Sequence, residues 1–484
     1  MIRMKNFVSE KVKKLYDIIN SKENYSSEII IAKGACGDNE VADIEFVNEL
    51  GINIEIIDKY ELNNYNKNKE NEVTKISIRN FNRNENNFII LNFLKNEKSY
   101  YKIFQIINML GEGGVGIVYY INDCTETSVI TNISKNYDFL NKIPVMKKKD
   151  KKYVIKLPRR VLLKNKEIRC YESFYNHNEA RDLIKFMDND NIPEKYKYKP
   201  IFYGKVILDY AIYPFMGNHE LSQYISDSYR NYAFQKKLFI SYQNHEIKVL
   251  PALTRKIIKR LQYYNQFFKH NDIKSENIII SINNYKYKAH IIDFGLQNKL
   301  LEKSQSSYVS FSPENIISHL LRKCIVNNED YYKKSDMIGL FWIFIDIFTN
   351  CMSFNILSDL GFSDFKKIYD KSSDLQLFIF YLEINEIENL ENIKYNDILK
   401  EYENMYDYLS KIYIPNPNFR KIFIDKVISY NSPIIKELFN SKKEFTEFLI
   451  KLLKLIKLYP EERPSYQEIL ENYFVFQNGF YEFN

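Results

Sequence analysis

Apolar and polar positions change rhythm along this chain. Ser9 precedes Val12, Leu15, Tyr16 and Ile19, which share one face at helical spacing. Short apolar runs follow, "EIIIAKG", "INIEII", "KISIRNF" and "NFIILNFL", and predict strands, with a polar break at 63–72. Residues 1–98 carry no recognisable chemistry and read as an N-terminal extension. From residue 99, "YKIFQIINML", "IVYYI" and "YVIKL" predict three further strands, the polar stretch 122–151 lying before the last. Residues 166–187 have helical spacing, and beyond 217 helices dominate. One is capped by Thr254 and lines up Ile257, Leu261, Tyr264 and Phe268. Another, 443–457, turns Phe445, Phe448, Leu449, Leu452, Leu453 and Ile456 inward and Lys451, Lys454 and Lys457 outward. The expected fold class is α+β, with a small β-rich lobe at about 99–213, a larger helical lobe at about 217–476 and a short tail, 477–484.

Composition changes this picture little. With 484 residues, 45% of them hydrophobic, the chain is long enough for a large core. Forty Tyr and 34 Phe stand beside 13 Gly, a bias that weakens any motif made of Asn or Lys alone. The formal charge of +7 is modest, and basic runs such as 146–152 and 158–160 read as solvated loops. No zinc-knuckle or RNA-binding signature accompanies them, so no nucleic-acid partner is expected. Cys36, Cys124, Cys170, Cys324 and Cys351 are scattered and never form C-x-x-C, which argues against a disulfide framework or structural zinc. The N-terminus lacks a signal-type apolar core. The most apolar run, 337–348, is too short for a bilayer and contains Asp346. An intracellular, cytoplasmic protein without a membrane span is the expectation.

The candidate chemistry begins at Gly111-Glu112-Gly113-Gly114-Val115-Gly116, a G-x-G-x-x-G run. A strand follows it rather than a helix, so it reads as a hairpin whose amides can lie over phosphates. Lys156 lies in an apolar strand and needs a partner, for which a phosphate or a helix carboxylate would serve. Glu179 is the best carboxylate, with Leu183, Met187 and Ile192 following it; Glu172 is the runner-up. The bland readings are a snorkelling Lys156 and a surface Glu179. His270, Asp272, Lys274 and Asn277 form H-x-D-x-K-x-x-N between an amphipathic helix and an apolar strand. Asp272 is placed to accept a hydroxyl proton, Lys274 to steady a transferring phosphoryl group and Asn277 to offer oxygen to a divalent ion. Asp293, Phe294 and Gly295 follow the next strand, where Asp293 suits Mg²⁺.

The ordered set "GEGGVGIV", "VIK", "HNDIKSEN" and "DFG" resembles the protein-kinase family. "FSPE" (311–314), Asp336 in "KKSDMIGLFWIFID" and Arg463 in "PEERPS" extend the resemblance over roughly residues 100–476. It implies a bilobal kinase-like fold binding ATP and Mg²⁺, with Asp336 bracing the catalytic loop and Arg463 pairing with Glu314. It also implies a hinge at 211–221, with Tyr213 or Ile212 as gatekeeper and Met216 offering backbone bonds to adenine. Val118, Val154 and Ile279 would sandwich the base, and Glu220 would reach ribose or a basic substrate residue. Lys274 resembles the Ser/Thr pattern, so protein Ser/Thr hydroxyls are the implied acceptors.

The departures bear on regulation. Asn271 stands where the family has the Arg that grips an activation-segment phosphate. That segment is short and carries Ser304, Ser306, Ser307, Tyr308 and Ser310, with Ser307 in place of a Thr that touches the catalytic Asp and Lys. The expectation is activity without the usual segment phosphorylation. Val154 and Ser312 each replace an Ala, and inserts are implied at 122–151 and near 355–440. The rival readings are a pseudokinase scaffold that keeps the fold and binds nucleotide, and a small-molecule kinase, which "SPE", Asp336 and Arg463 disfavour.

Overall fold

The computed structural model describes, up to residue 182, ten strands: Ile29–Cys36, Glu40–Val47, Asn53–Ile57, Lys75–Arg79, Asn87–Lys95, Lys98–Glu112, Gly116–Asp123, Lys152–Pro158, Arg160–Leu162 and Ile168–Cys170. Thereafter it describes 183–200, 202–205, 209–217, 219–237, 245–283, 286–301, 311–321, 325–362, 371–400, 405–430, 435–477 and 480–484. The helix expected after Ser9 lies outside the described residues. Backbone contacts divide the chain into two compact units, residues 1–187 with 198–215 and residues 188–197 with 216–484. The protein is mixed α+β.

In the first unit, eight strands pair antiparallel: β1 (Ile29–Cys36), β2 (Glu40–Val47), β3 (Asn87–Lys95), β4 (Lys98–Glu112), β5 (Gly116–Asp123), β6 (Lys152–Pro158), β7 (Phe202–Lys205) and β8 (Asp209–Pro214). They close a barrel in the order β1-β7-β8-β6-β5-β4-β3-β2. Three of these strands, β1 to β3, lie within residues 1–98, the expected N-terminal extension. β3 and β4 pair from Asn87 opposite Ile106 to Lys95 opposite Lys98. The physical reason is the sheet edge: β4 would otherwise present an unpaired row of N–H and C=O groups, and β3 covers it. The helical spacing expected over 166–187 is met only in part, and 171–182 lie outside the described residues. Ile168–Cys170 is a strand paired with Arg160–Leu162, and helix is present at 183–187, where Leu183 and Met187 are buried.

The second unit contains α1 (Leu221–Lys237), α2 (Leu250–Tyr264), the hairpin β9 (Ile278–Asn283) and β10 (Lys286–Ile291), α3 (Pro313–Leu321) and α4 (Met337–Thr349). After them come α5 (Ser353–Asp359), α6 (Lys371–Ile384), α7 (Met405–Ile412), α8 (Phe419–Ser429), α9 (Lys442–Leu452) and α10 (Tyr466–Asn472), besides shorter turns. Thr254 does not cap α2. The helix starts a turn earlier with Pro251 in its first turn, and the Thr254 hydroxyl donates back to Leu250 O at 2.9 Å. Phe268 lies past its end in a two-residue strand. Arg260 of α2 ties residues 188–197 to this unit, donating to Ala289 O at 2.7 Å and to Tyr196 O and Lys195 O.

α4 is apolar on every side and buried at every position, as an all-round apolar helix must be. Around Phe344 and Phe348 stand Phe448 of α9 and Phe483, ring centroids 5.6–5.9 Å apart. Phe483 belongs to β12 (Phe480–Phe483), which pairs with β11 (Phe474–Gln477). The segment expected as a tail is thus a strand anchored in the core by a buried aromatic ring. Among the described residues no single helix is long and apolar enough to cross a membrane.

Candidate functional site

The first unit holds part of the expected phosphate-binding set. Two register shifts in β4, after Ile106 and after Met109, precede Gly111, which pairs with Val118 of β5. Glu112 ends β4 opposite Ile117, and Gly116 opens β5 opposite Pro158, while Gly113, Gly114 and Val115 lie outside the described residues. Strand–glycines–strand is the geometry read from the sequence. Lys156 of β6 stands between Val118 and Ala211 of β8. Side chains alternate across the sheet. Tyr119, Ile121, Tyr153 and Ile155 are buried on one face, and Val118, Tyr120, Val154 and Lys156 share the other, half-buried one. Ile212 and Tyr213 are buried in β8. Glu179 and Glu172 lie outside the described residues.

The rest of the set falls in the second unit. Asp336, just before α4, anchors the loop 270–277: its carboxylate accepts the His270 N–H at 2.8 Å, the Asn271 N–H at 2.9 Å and the Asn265 amide. Three donors satisfy a carboxylate that is 1% exposed. Three residues on, an added Cβ at Gly339 would come within 2.3 Å of Ile273 O, so α4 and the loop touch backbone to backbone. Ten residues on, Asp346 accepts the Ser275 hydroxyl at 2.7 Å.

Within the loop, Asp272 is held through one oxygen. Its Oδ2 accepts the Asn277 amide at 2.8 Å and the Lys274 ammonium at 3.0 Å, and its Oδ1 has no partner. Asn277 Nδ2 also donates to Asp272 O at 2.9 Å, which leaves its own Oδ1 as the atom for a cation. Burial alone would lower the Lys274 pKa; the Asp272 carboxylate more than offsets it, leaving Lys274 above the ordinary lysine value. His270 is fully buried, and burial holds it below its usual range. The Asp272 N–H donates to His270 Nδ1 at 3.3 Å and His270 Nε2 faces Ile292 O at 3.1 Å, which fixes the neutral Nε2–H tautomer.

Phe294 is buried against His270, Tyr264 and Phe268, with centroids 4.6, 5.9 and 6.1 Å away. Its neighbour Asp293 adopts a left-handed φ of 59°, as does Asn271 at 62°, a conformation Asp and Asn tolerate better than other side chains. The Asp293 charge acts on both His270 and Lys274. Asp293 and the Asn277 oxygen suit a hard, oxygen-seeking cation that also takes phosphate and water ligands. Among the described residues no group of three or more His, Cys, Asp or Glu side chains forms an all-protein metal cage. Met216 is half-buried, and beside it an added Cβ at Gly217 would reach 2.4 Å from Ile280 O. Glu220 is exposed, accepts from Ser222 and pairs in register with Ile279. Partial burial of its carboxyl, with the nearby Glu276 charge, holds it above the ordinary carboxylate value.

Arg463 and Glu314 form a bidentate pair, 2.8 and 2.7 Å, with both side chains fully buried. Ser335 adds a third hydrogen bond to Glu314 at 2.9 Å. Ser312 accepts the Asn315 N–H and so closes the first turn of α3. Asn271 Nδ2 donates to Leu296 O at 2.8 Å, and Asn315 Nδ2 approaches Asn271 Oδ1 at 3.5 Å. The serines and Tyr308 of 304–310 lie outside the described residues. Sequence reasoning missed Asn265, Gly339, Ser275 and Asn315 as site residues. The available signal was Asp346, since a carboxylate in an all-apolar helix demands a donor. No protein-family model matches the chain, and no curated protein matches it.

Proposed function

We propose that the chain is an ATP-dependent serine/threonine protein kinase of bilobal kinase-like fold. The observation that carries the reading is Asp272: Oδ2 gripped by Asn277 and Lys274, Oδ1 unpartnered beside them. A carboxylate oriented in this way accepts the proton of a Ser or Thr hydroxyl as that oxygen attacks the γ-phosphoryl group. Lys274, kept charged by Asp272, steadies the charge on the transferring group. Asn277 and Asp293 would hold Mg²⁺, which neutralises phosphate charge. Gly111 to Gly116 would cover the phosphates, Lys156 would hold them with Glu179 as its carboxylate, and Met216 and Val118 would border adenine. Neutral hydrogen bonds, one that Asn271 donates to Leu296 O and one that it accepts from the Asn315 amide, support a loop that needs no phosphate ligand.

The test is phosphate transfer from labelled ATP with Mg²⁺ to a peptide array, run beside aminoglycosides and choline. Wild type should label Ser/Thr peptides, and Asp293→Asn and Asp272→Asn should lose the signal by 10²-fold or more, on the order expected for groups aligned in a transition state. Equal labelling by wild type and Asp293→Asn sinks the proposal.

A further inference from the structure

Ser275 and Asp346 take no part in the chemistry just described, yet both are buried and bonded to each other at 2.7 Å. α4 rises about 15 Å from Asp336 to Asp346, at roughly 1.5 Å per residue. Against it the loop meets Asp336 at His270 and Asn271, Gly339 at Ile273 and Asp346 at Ser275. Ser275 lies between Lys274 and Asn277, the two side chains that hold Asp272.

We infer that Asp346 is a positioning residue, which through Ser275 fixes the distal half of the loop against α4 so that Lys274 and Asn277 stay in register with Asp272. Asp336 holds the proximal half through the His270 and Asn271 N–H groups. This inference rests on the kinase reading for its kinetic consequence, while the anchoring itself does not.

The carboxylate is also poised to release its grip. Burial pushes Asp346 up to about 6, with Glu276 adding to the rise and Ser353 and Ser275 opposing it. The titratable groups facing it are Lys274 and Glu276 from the loop and Cys351 from the turn after α4, with Glu220 acting on that same loop pair. Burial drives the Cys351 thiol far up, so it is neutral throughout the range in question. Protonating Asp346 exchanges a charge-assisted bond from Ser275 for a neutral one, which is roughly half as strong.

The test uses the full chain with Ser275→Ala, Asp346→Ala, Asp346→Asn and the double variant Ser275→Ala/Asp346→Ala. Each alanine variant should lower kcat about tenfold with the KM for ATP changed less than about twofold, a modest misplacement of aligned groups. The double variant should be no worse than either single. Asp346→Asn, which keeps an acceptor oxygen, should recover most of kcat and lose the decline that wild type shows between pH 7 and pH 5.5. Additive losses in the double variant, or a wild-type kcat in Ser275→Ala, overturn the inference. Amide hydrogen exchange over residues 270–278, read without nucleotide, separates the two claims. If wild type transfers no phosphate, the kinase reading fails, yet faster exchange in Ser275→Ala still supports the anchor and unchanged exchange refutes it.

Discussion

Removing the Arg463 guanidinium should cost the second unit about 3–5 kcal/mol, the usual result of stranding one member of a buried ion pair. Arg463→Leu takes away both bidentate contacts and leaves Glu314 with Ser335 in a site with no solvent exposure. It also removes the donors that Lys457 O and Lys334 O accept. The pH dependence identifies the cause. Burial would raise the Glu314 pKa, but Arg463 outweighs it and holds the carboxyl below its ordinary 4.5. The wild-type pair thus contributes stability above pH 4.5 that is lost as pH falls through the lowered value. In Arg463→Leu only the weaker Ser335 and backbone hydrogen bonds oppose burial, the folded-state pKa rises, and the variant regains stability as pH falls from 7 towards 5. The assay is urea unfolding followed by the fluorescence of Trp342, the single Trp of the chain and 2% exposed within α4, so it reports this unit alone. Arg463→Lys, which keeps the charge without the fork, should lose less. A loss below about 1 kcal/mol at pH 7, or one that grows as pH falls to 5, refutes the reasoning.

Three further outcomes follow from the same geometry. Gly339→Ala, a change that gains about 1 kcal/mol in an exposed helix, should here cost about 1–3 kcal/mol or more because the methyl meets Ile273 backbone; a gain in urea midpoint would falsify the close approach. Burial, with Arg260 and Lys288, holds His290 at about 3, against an ordinary 6.5, so only the unfolded chain takes a proton between those values. Stability is therefore lost as pH falls from 6.5 towards 3, at up to about 1.4 kcal/mol per pH unit. Asp346, raised from 3.8 to about 6, opposes this, gaining stability as pH falls from 6 to 3.8. His290→Gln should flatten the acid loss seen by Trp342 and Asp346→Asn should steepen it; identical slopes in all three proteins refute the assignment. Phosphatase treatment of the full chain should leave phosphate transfer within about twofold, since the Asn271 side-chain amide bonds to Leu296 O and the Asn315 amide, both neutral; loss of most activity would mean that a phosphate holds the segment.

Much of the second unit was legible because its signals are local. The spacing 270, 272, 274, 277 sets four polar side chains within one tight loop, and the structure joins Asp272, Lys274 and Asn277 by direct hydrogen bonds. The Phe445, Phe448, Leu449, Leu452 stripe turned inward as its period required. Local periodicity failed where long-range pairing decides the outcome. Ile168–Cys170 lies in a stretch of helical spacing but has a strand partner in space, and nothing local in the first 98 residues shows that β3 pairs with β4. Thr254 looked like a cap because a polar residue preceded an apolar face, yet Pro251 moved the helix start one turn back.

The loop's anchors were hidden for a different reason. Each is a relation between two positions tens of residues apart, and only one member carries a signal. Asp346 stands out as a charge in α4, whereas Ser275 is one serine among many polar residues and Gly339 one glycine in a helix. Their significance comes from register: α4 brings positions 336, 339 and 346 beneath 271, 273 and 275 in that order. Shifting α4 by one residue would turn the row by about 100° and break all three contacts at once. The apolar faces that bury α4 on every side therefore set the loop geometry as well as the stability of the unit, since the contacts of Asp336, Gly339 and Asp346 with the loop depend on that packing.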